Sequence, residues 1–299
     1  MLWIINGLIY GFFTALYTLA NQKAKLNGYI LGIWRGFGIA IIFTPLLLFI
    51  PPLTDYRNWI LLISQGIFIG IYDSHIFFAS ARFGANTTSR LLVLSVPLTT
   101  LLWWILTPSQ FTRLYENANT FITLLLCLIG FCICYWYMLK SSLTKKAFLY
   151  MTPAVISLAA MSIMTKEIAV MKQNVWHNII YYLVVSTFIS GCYNLILFLF
   201  SRNKSIKLHR QLFSSAATHI GCYVITFSAA LITAKTLALR IAPNPGYVVT
   251  LLLTAPLFVF MLSPQTPHRE ILSEKAGLAM LFFLCLIMLL TTSDIGIND

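Results

Sequence analysis

Seven side chains able to carry a charge or exchange a proton stand among apolar neighbours. They are Arg35, Asp73, Arg90, Lys166 and Glu167, with His75 and His219 as titratable companions. The stretch GIYDSHIFFASARFGANTTSR (70–90) brings an acid, an imidazole and a guanidinium close together. At the centre of a membrane helix a charge costs about 2.5–3.5 kcal/mol on insertion scales, and residues kept at that cost usually face a bundle interior. There they neutralise one another, gate a path, or contact a substrate or proton, and all three roles stay open for Asp73. Counted from the nearest turn, Asp73 lies about seven residues before it and Arg90 about six after, so at 1.5 Å per residue both sit roughly 10 Å below one surface. Arg35 and His219 enter from that side to a similar depth. The expected pair is Asp73 with Arg90, and Arg35 is the second candidate partner. His75 and His219 are expected as hydrogen-bonded packing residues. Lys166 and Glu167 point about 100° apart on one helix and do not pair with each other. Lys166 is expected to snorkel to the interface. Glu167 is either an interfacial carboxylate or an acidic contact for a cationic or zwitterionic substrate.

Polar residues on apolar helices mark a wet cavity or a neighbouring helix. Asn6, Tyr10, Thr14, Tyr17 and Asn21 recur every three or four residues and form one stripe. The Tyr10 and Tyr17 rings with their hydroxyls favour a cavity. Asn86, Arg90, Pro97 and Thr100 have compatible spacing. The stretch PNPGYVVT carries Asn244 and Tyr247 beside Pro243, Pro245 and Gly246, which interrupt helical hydrogen bonding and free backbone groups.

The elements that position these residues follow from composition. The chain of 299 residues is 59% hydrophobic and 9% charged, against roughly 25% charged in soluble domains. Apolar windows predict ten helical spans, at 3–21, 28–50, 58–80, 84–107, 119–138, 147–171, 177–200, 213–236, 242–262 and 275–293. Long unbroken runs argue for helices rather than barrel strands. The amino terminus lacks the basic region and cleavage site of a signal peptide and is expected to remain as the first helix. The net charge of +12 is spread over short connections, the distribution of topology signals rather than of a nucleic-acid-binding face. All six cysteines fall inside predicted spans without a CxxC pair and are expected to pack, with no disulfide or metal. No P-loop, HExxH or GxSxG motif is present, which excludes an ATP-driven pump for this chain alone and gives no sign of an enzyme or of a cofactor.

The basic stretch LKSSLTKK (139–146) divides the chain into 1–138 and 147–299, five spans each. ARFGANTTSRLLVLSVPLTTLLWWIL (81–106) matches LRIAPNPGYVVTLLLTAPLFVFML (239–262) with one single-residue shift. Arg82 answers to Arg240, Asn86 to Asn244, Ser95 with Pro97 to Thr254 with Pro256. An odd number of spans per half inverts the second copy. The expected fold class is therefore an all-α integral membrane protein of ten transmembrane helices in two inverted five-helix repeats.

The order of basic residue, short turn, small polar residues and S-x-P in the fourth span, repeated at the ninth, resembles the EamA-type branch of the drug/metabolite transporter superfamily. LGIWRGFGIAIIF (31–43) is similar to that family's second span, where an Arg commonly sits. The family's Gly-Glu-Arg/Lys turn after the fourth and ninth spans is replaced here by TPSQFTR and SPQTPHRE. The resemblance implies a central cavity between the halves, involving spans one, three, four, six, eight and nine, and termini inside the cell. The charge bias points the other way. Odd-numbered connections hold twelve Lys and Arg against five in the even ones, which places both termini outside.

The expected function is a secondary transporter in the cell (inner) membrane, working by alternating access. It would move a small polar or amphipathic metabolite, an amino acid or related zwitterion in first place. Proton coupling through Asp73 or Glu167 and passive or exchange transport stay open. One alternative is uptake of a larger charged metabolite, such as an adenosyl or nucleotide-like cofactor, on Arg35, Arg90 and Asp73. Another is a non-transporting membrane enzyme or assembly factor, for which Asp73, His75 and His219 are the only convergent set.

Overall fold

The computed structural model describes residues 2–109, 112, 118–140, 145–171, 174–201, 212–242 and 244–262, with positions 279, 282, 283 and 286. Among them there is no strand. The helices are α1 (Leu2–Ala24), α2 (Gly28–Phe43, continued by a 3-10 stretch Thr44–Phe49), α3 (Tyr56–Phe83), α4 (Ala85–Leu92), α5 (Ser95–Leu106), α6 (Ala118–Lys140) and α7 (Lys145–Ala169). Then come α8 (Val175–Tyr181), a π turn (Tyr182–Ser186), α9 (Thr187–Phe200), α10 (Ser215–Ile241), α11 (Pro245–Thr250), a 3-10 turn (Leu251–Leu253) and α12 (Thr254–Leu262). Eight segments are long and apolar enough to cross a membrane: α1, α2 with its extension, α3, α4–α5, α7, α8–α9, α10 and α11–α12. The chain is a multi-pass membrane protein. In α6 the apolar stretch is shorter, Phe121–Cys134. The tenth expected span, 275–293, lies outside the described residues except at four positions, as does 141–144 of the expected linker.

Helix starts are written locally. Asn27, Asp55, Asn174, Ser214 and Asn244 each accept a hydrogen bond from a first-turn N–H of the helix they precede, filling donors that a helix start leaves open. Between α3 and α4 a single residue, Gly84, turns the chain with φ 84° and ψ 154°, a region open in practice to glycine alone.

Cross-helix contacts give the directions. Tyr17 meets Asp73 and Asn21 meets Phe77, the same offset, so α1 and α3 run parallel. Gln65 meets Tyr182 and Asp73 meets Ser190, again one offset, so α8–α9 runs with them. Trp3 with Tyr247 and Phe12 with Phe258 align α11–α12 the same way. Tyr10 with Lys235 and Phe13 with Phe227 set α10 antiparallel to α1. Gln65 with Thr165 and Phe83 with Tyr150 set α7 antiparallel to α3. The turn at Gly84 sends α4–α5 back across.

Glycines four apart set the closeness of these helices. Gly7 and Gly11 face Leu251 and Thr254, Gly32 and Gly36 face Asn194 and Gly191, and Gly66 and Gly70 face Ile189 and Tyr193. A methyl group at Gly36 would run into the Gly191 backbone. Lipid supplies no hydrophobic drive between helices, so small residues and close packing hold them. Accordingly the outside is apolar, with Ile41, Phe49, Ile105, Leu126 and Phe200 exposed, while Arg35, Gln65, Asp73 and Lys235 are buried.

Two crossing segments are broken at matching places. Pro97 and Pro256 have no N–H for the carbonyl four residues earlier, and their rings crowd it. α4 gives way to α5 at Val93–Leu94, and α11 to α12 at Leu251–Leu253. The hydroxyls two residues before each proline act alike: Ser95 donates to the Leu92 carbonyl at 2.6 Å and Thr254 to the Leu251 carbonyl at 2.6 Å. The broken segments also touch, since Gly246 lies against Thr100.

Candidate functional site

Two polar levels cross the bundle interior. The first is built on Asp73 of α3, which is completely buried. Arg35 of α2 donates to its Oδ2 through Nη1 at 2.5 Å. Tyr17 of α1 donates its hydroxyl to Oδ1 at 2.6 Å, and Ser190 of α9 donates to Oδ2 at 3.3 Å. The guanidinium donates again through Nε to Ser228 of α10 at 3.0 Å and stands 5.7 Å from the centre of the Tyr17 ring. Five helices therefore meet at one ion pair, with α1–α3 on one side and α9 and α10 on the other. A buried pair is held when further hydrogen bonds satisfy it; here Asp73 accepts three and Arg35 donates through Nε and Nη1.

The expected pairing of Asp73 with Arg90 is corrected by this geometry, for a reason of helix length. Because α3 runs on to Phe83 instead of ending near 80, Asp73 lies about 16 Å from the turn at Gly84 and Arg90 only about 9 Å, at 1.5 Å per residue. Arg35 is level with Asp73 because α2 starts beside Phe78. Gly28 lies on the Phe78 ring, and Tyr29 contacts it with ring centres 4.9 Å apart. Arg90 is half-buried in the last turn of α4.

The second level lies seven or eight residues further along each helix, about 10–12 Å away. Gln65 of α3 donates through Nε2 to Thr165 of α7 (2.8 Å), to the Tyr182 hydroxyl (2.8 Å) and to the Met161 carbonyl (3.3 Å). The carbonyl can only accept, which fixes the amide's orientation and leaves Gln65 Oε1 without a partner among the described residues. Tyr182 opens the π turn, a kind of helix defect often found at functional sites. Opposite lies Lys235 of α10, 2% exposed. Its Nζ is 5.7 Å from the centre of the Tyr10 ring, and no described protein atom accepts a hydrogen bond from it. The Tyr10 hydroxyl is likewise without a well-formed partner. Its neighbour Thr14 donates instead to the Tyr10 carbonyl at 2.8 Å. Tyr72 is buried between the two levels.

Lys166 is corrected too. It does not snorkel out but lies 9% exposed, its Nζ donating to the carbonyls of Leu239 (2.8 Å), Ala242 (2.7 Å) and Arg240 (3.4 Å). It closes the end of α10, where a helix leaves acceptors open and its dipole favours a cation. Glu167 is exposed.

The other expected residues divide. Tyr10, Thr14 and Tyr17 all face the interior. Half-buried His75 has Nδ1 2.8 Å from the Ile71 carbonyl, which makes Nδ1 the donor, and its ring lies on Tyr150. His219 is exposed, edge-on to Tyr223. Asp73, His75 and His219 thus stand in three different surroundings. Asn244 is buried as the cap of α11, and Tyr247 is buried near Trp3. An open hollow of about 380 Å³ on α6, lined by Leu125, Ile129, Cys132, Ile133 and Trp136, includes none of these groups.

Lys235, Gln65, Tyr182, Ser190 and Ser228 were not expected at the site. Lys235 was counted with the connections because it stands one residue from the end of the expected eighth span, 213–236. The helix continues through LALRI to Ile241 and carries the lysine inside. The signal available was the apolar sequence on both sides of it. Moving Lys235 out of the connections leaves twelve basic residues against four, a stronger bias than before. Compared with models of known protein families and with curated proteins, the chain matches none.

Proposed function

We propose that the protein is a secondary transporter of the EamA type, with ten helices in two inverted repeats, moving a small metabolite through the centre of the bundle by alternating access. The observation that carries this reading is the pair of broken helices. α4–α5 and α11–α12 share the S/T-x-P break and its hydroxyl-to-carbonyl bond, run in opposite directions and touch at Gly246 and Thr100. Interrupted helices at corresponding places of two halves point to a midplane binding site. The remaining directions support the same reading, since α1 and α7, and α3 and α10, are antiparallel, as inverted copies require.

The two polar levels serve alternating access as cross-ties. At one, Tyr17, Arg35 and Asp73 join Ser190 and Ser228; at the other, Gln65 joins Thr165 and Tyr182. Opening one side breaks one set while the other holds. In proteoliposomes, saturable uptake of a labelled metabolite pool is expected. No saturable flux, combined with activity on a lipid, would overturn the reading.

A further inference from the structure

We propose that Lys235 is the anion-binding residue of the solute site, and that the solute is a monocarboxylate. The proposal rests on the transport reading for passage of the solute, not for its binding. Lys235 is 2% exposed, its Nζ stands 5.7 Å from the centre of the Tyr10 ring, and no acceptor among the described residues takes a hydrogen bond from it. Such a contact returns only a fraction of what burying an ammonium costs. The deficit is removed when an anion arrives.

The charge count sets the class. Arg35 and Asp73 cancel each other, so among the described residues Lys235 leaves one positive charge at the second level. A single carboxylate neutralises it. A phosphate dianion overshoots, and a zwitterion leaves the excess unchanged while its own ammonium finds Asp73 already occupied by Tyr17, Arg35 and Ser190. Donor number agrees. The Lys235 ammonium and the Tyr10 hydroxyl, which has no well-formed partner among the described residues, suit two carboxylate oxygens and fall short of what a phosphate needs. Gln65 Oε1 is a spare acceptor at the same level, fitted to one N–H or O–H on the solute. The Tyr10, Tyr72 and Tyr182 rings offer an aromatic or apolar body its contacts.

The test uses the full chain purified in detergent, with benzoate, phenylacetate and pyruvate as probes, their primary amides as neutral isosteres, and inorganic phosphate. Thermal unfolding and calorimetry are expected to show at least one carboxylate binding and its amide not binding. Lys235→Met is expected to weaken that binding more than about tenfold without lowering the unfolding temperature of the unliganded protein, and Lys235→Arg to retain part of it. The proposal is overturned by phosphate binding without carboxylate binding, by Lys235→Met binding carboxylates as tightly as the parent, or by no carboxylate binding at all. In the last case saturable flux of another solute would leave the transport reading intact. Conversely, Lys235-dependent binding without flux would uphold the site and defeat the transport reading.

Discussion

Arg35 and Lys235 are both cations buried in the same bundle, and they differ in what answers their charge. Arg35 meets a carboxylate, a serine hydroxyl and a tyrosine face. Lys235 meets one ring face. Lys166 is a third case, held by backbone carbonyls at a helix end. Two of the three are closed structural devices, whose removal leaves open valences behind. The third is an open valence already. A charge that costs stability and joins no described protein group is explained by what it binds, whereas one tied to several groups is explained by what it holds together.

The comparison breaks most easily at Asp73. Asp73→Asn strips the ion pair and is expected to cost about 3–5 kcal/mol, seen as a large fall in unfolding temperature or in folded yield. Combining it with Arg35→Gln should recover much of that loss, because no uncompensated charge remains. A double variant as unstable as the single one would show that the pair is not the structural tie. Lys166→Met comes next. Uncapping the carbonyls of Leu239 and Ala242 is expected to cost about 1–3 kcal/mol, with faster hydrogen exchange in the last turn of α10 as the specific readout.

Two further variants sharpen the contrast. Tyr17→Phe keeps the ring against Phe77 (4.8 Å) and loses one hydrogen bond to a charged group, about 1.5–3 kcal/mol at most. For Lys235→Met the expected sign reverses. Replacing an unpaired buried ammonium by an apolar chain of similar length should leave the unliganded protein unchanged or stabilise it by about 1 kcal/mol. A marked loss of stability would mean that Lys235, like Arg35, is a tie.

The legible part of this molecule is local. Starts of helices at Asn27, Asp55 and Asn174, the turn at Gly84, and the breaks before Pro97 and Pro256 each depend on a few neighbouring residues and their hydrogen bonds. The inward stripe of Tyr10, Thr14 and Tyr17 was legible for a similar reason, because helical periodicity alone places those residues on one face. The pairs of glycines at 7 and 11, 32 and 36, and 66 and 70 were legible in principle as close-packing signals, though not which helix each would meet.

Partner choice was not legible. Counting residues from a turn put Asp73 level with Arg90, but with α3 running to Phe83 their depths below Gly84 differ by about 7 Å. A boundary set too early also counted Lys235 with the connections, while Lys166 was misjudged because the carbonyls that hold it belong to the end of another helix. Depth along a helix depends on where that helix ends against its neighbours, and apolar content decides that only loosely when a lysine stands near the end.

The sequence by itself determined an all-helical, multi-pass membrane protein, the inward stripe of Tyr10, Thr14 and Tyr17, and the matching S/T-x-P segments, because hydropathy, helical periodicity and local motifs act within one segment. Only the tertiary structure decided that Arg35 closes on Asp73, that Lys166 closes α10, and that Lys235 finds no hydrogen-bond acceptor among the described residues. Those outcomes depend on the sliding register of one helix against another, which is set by glycine contacts and ring packing far apart in the chain.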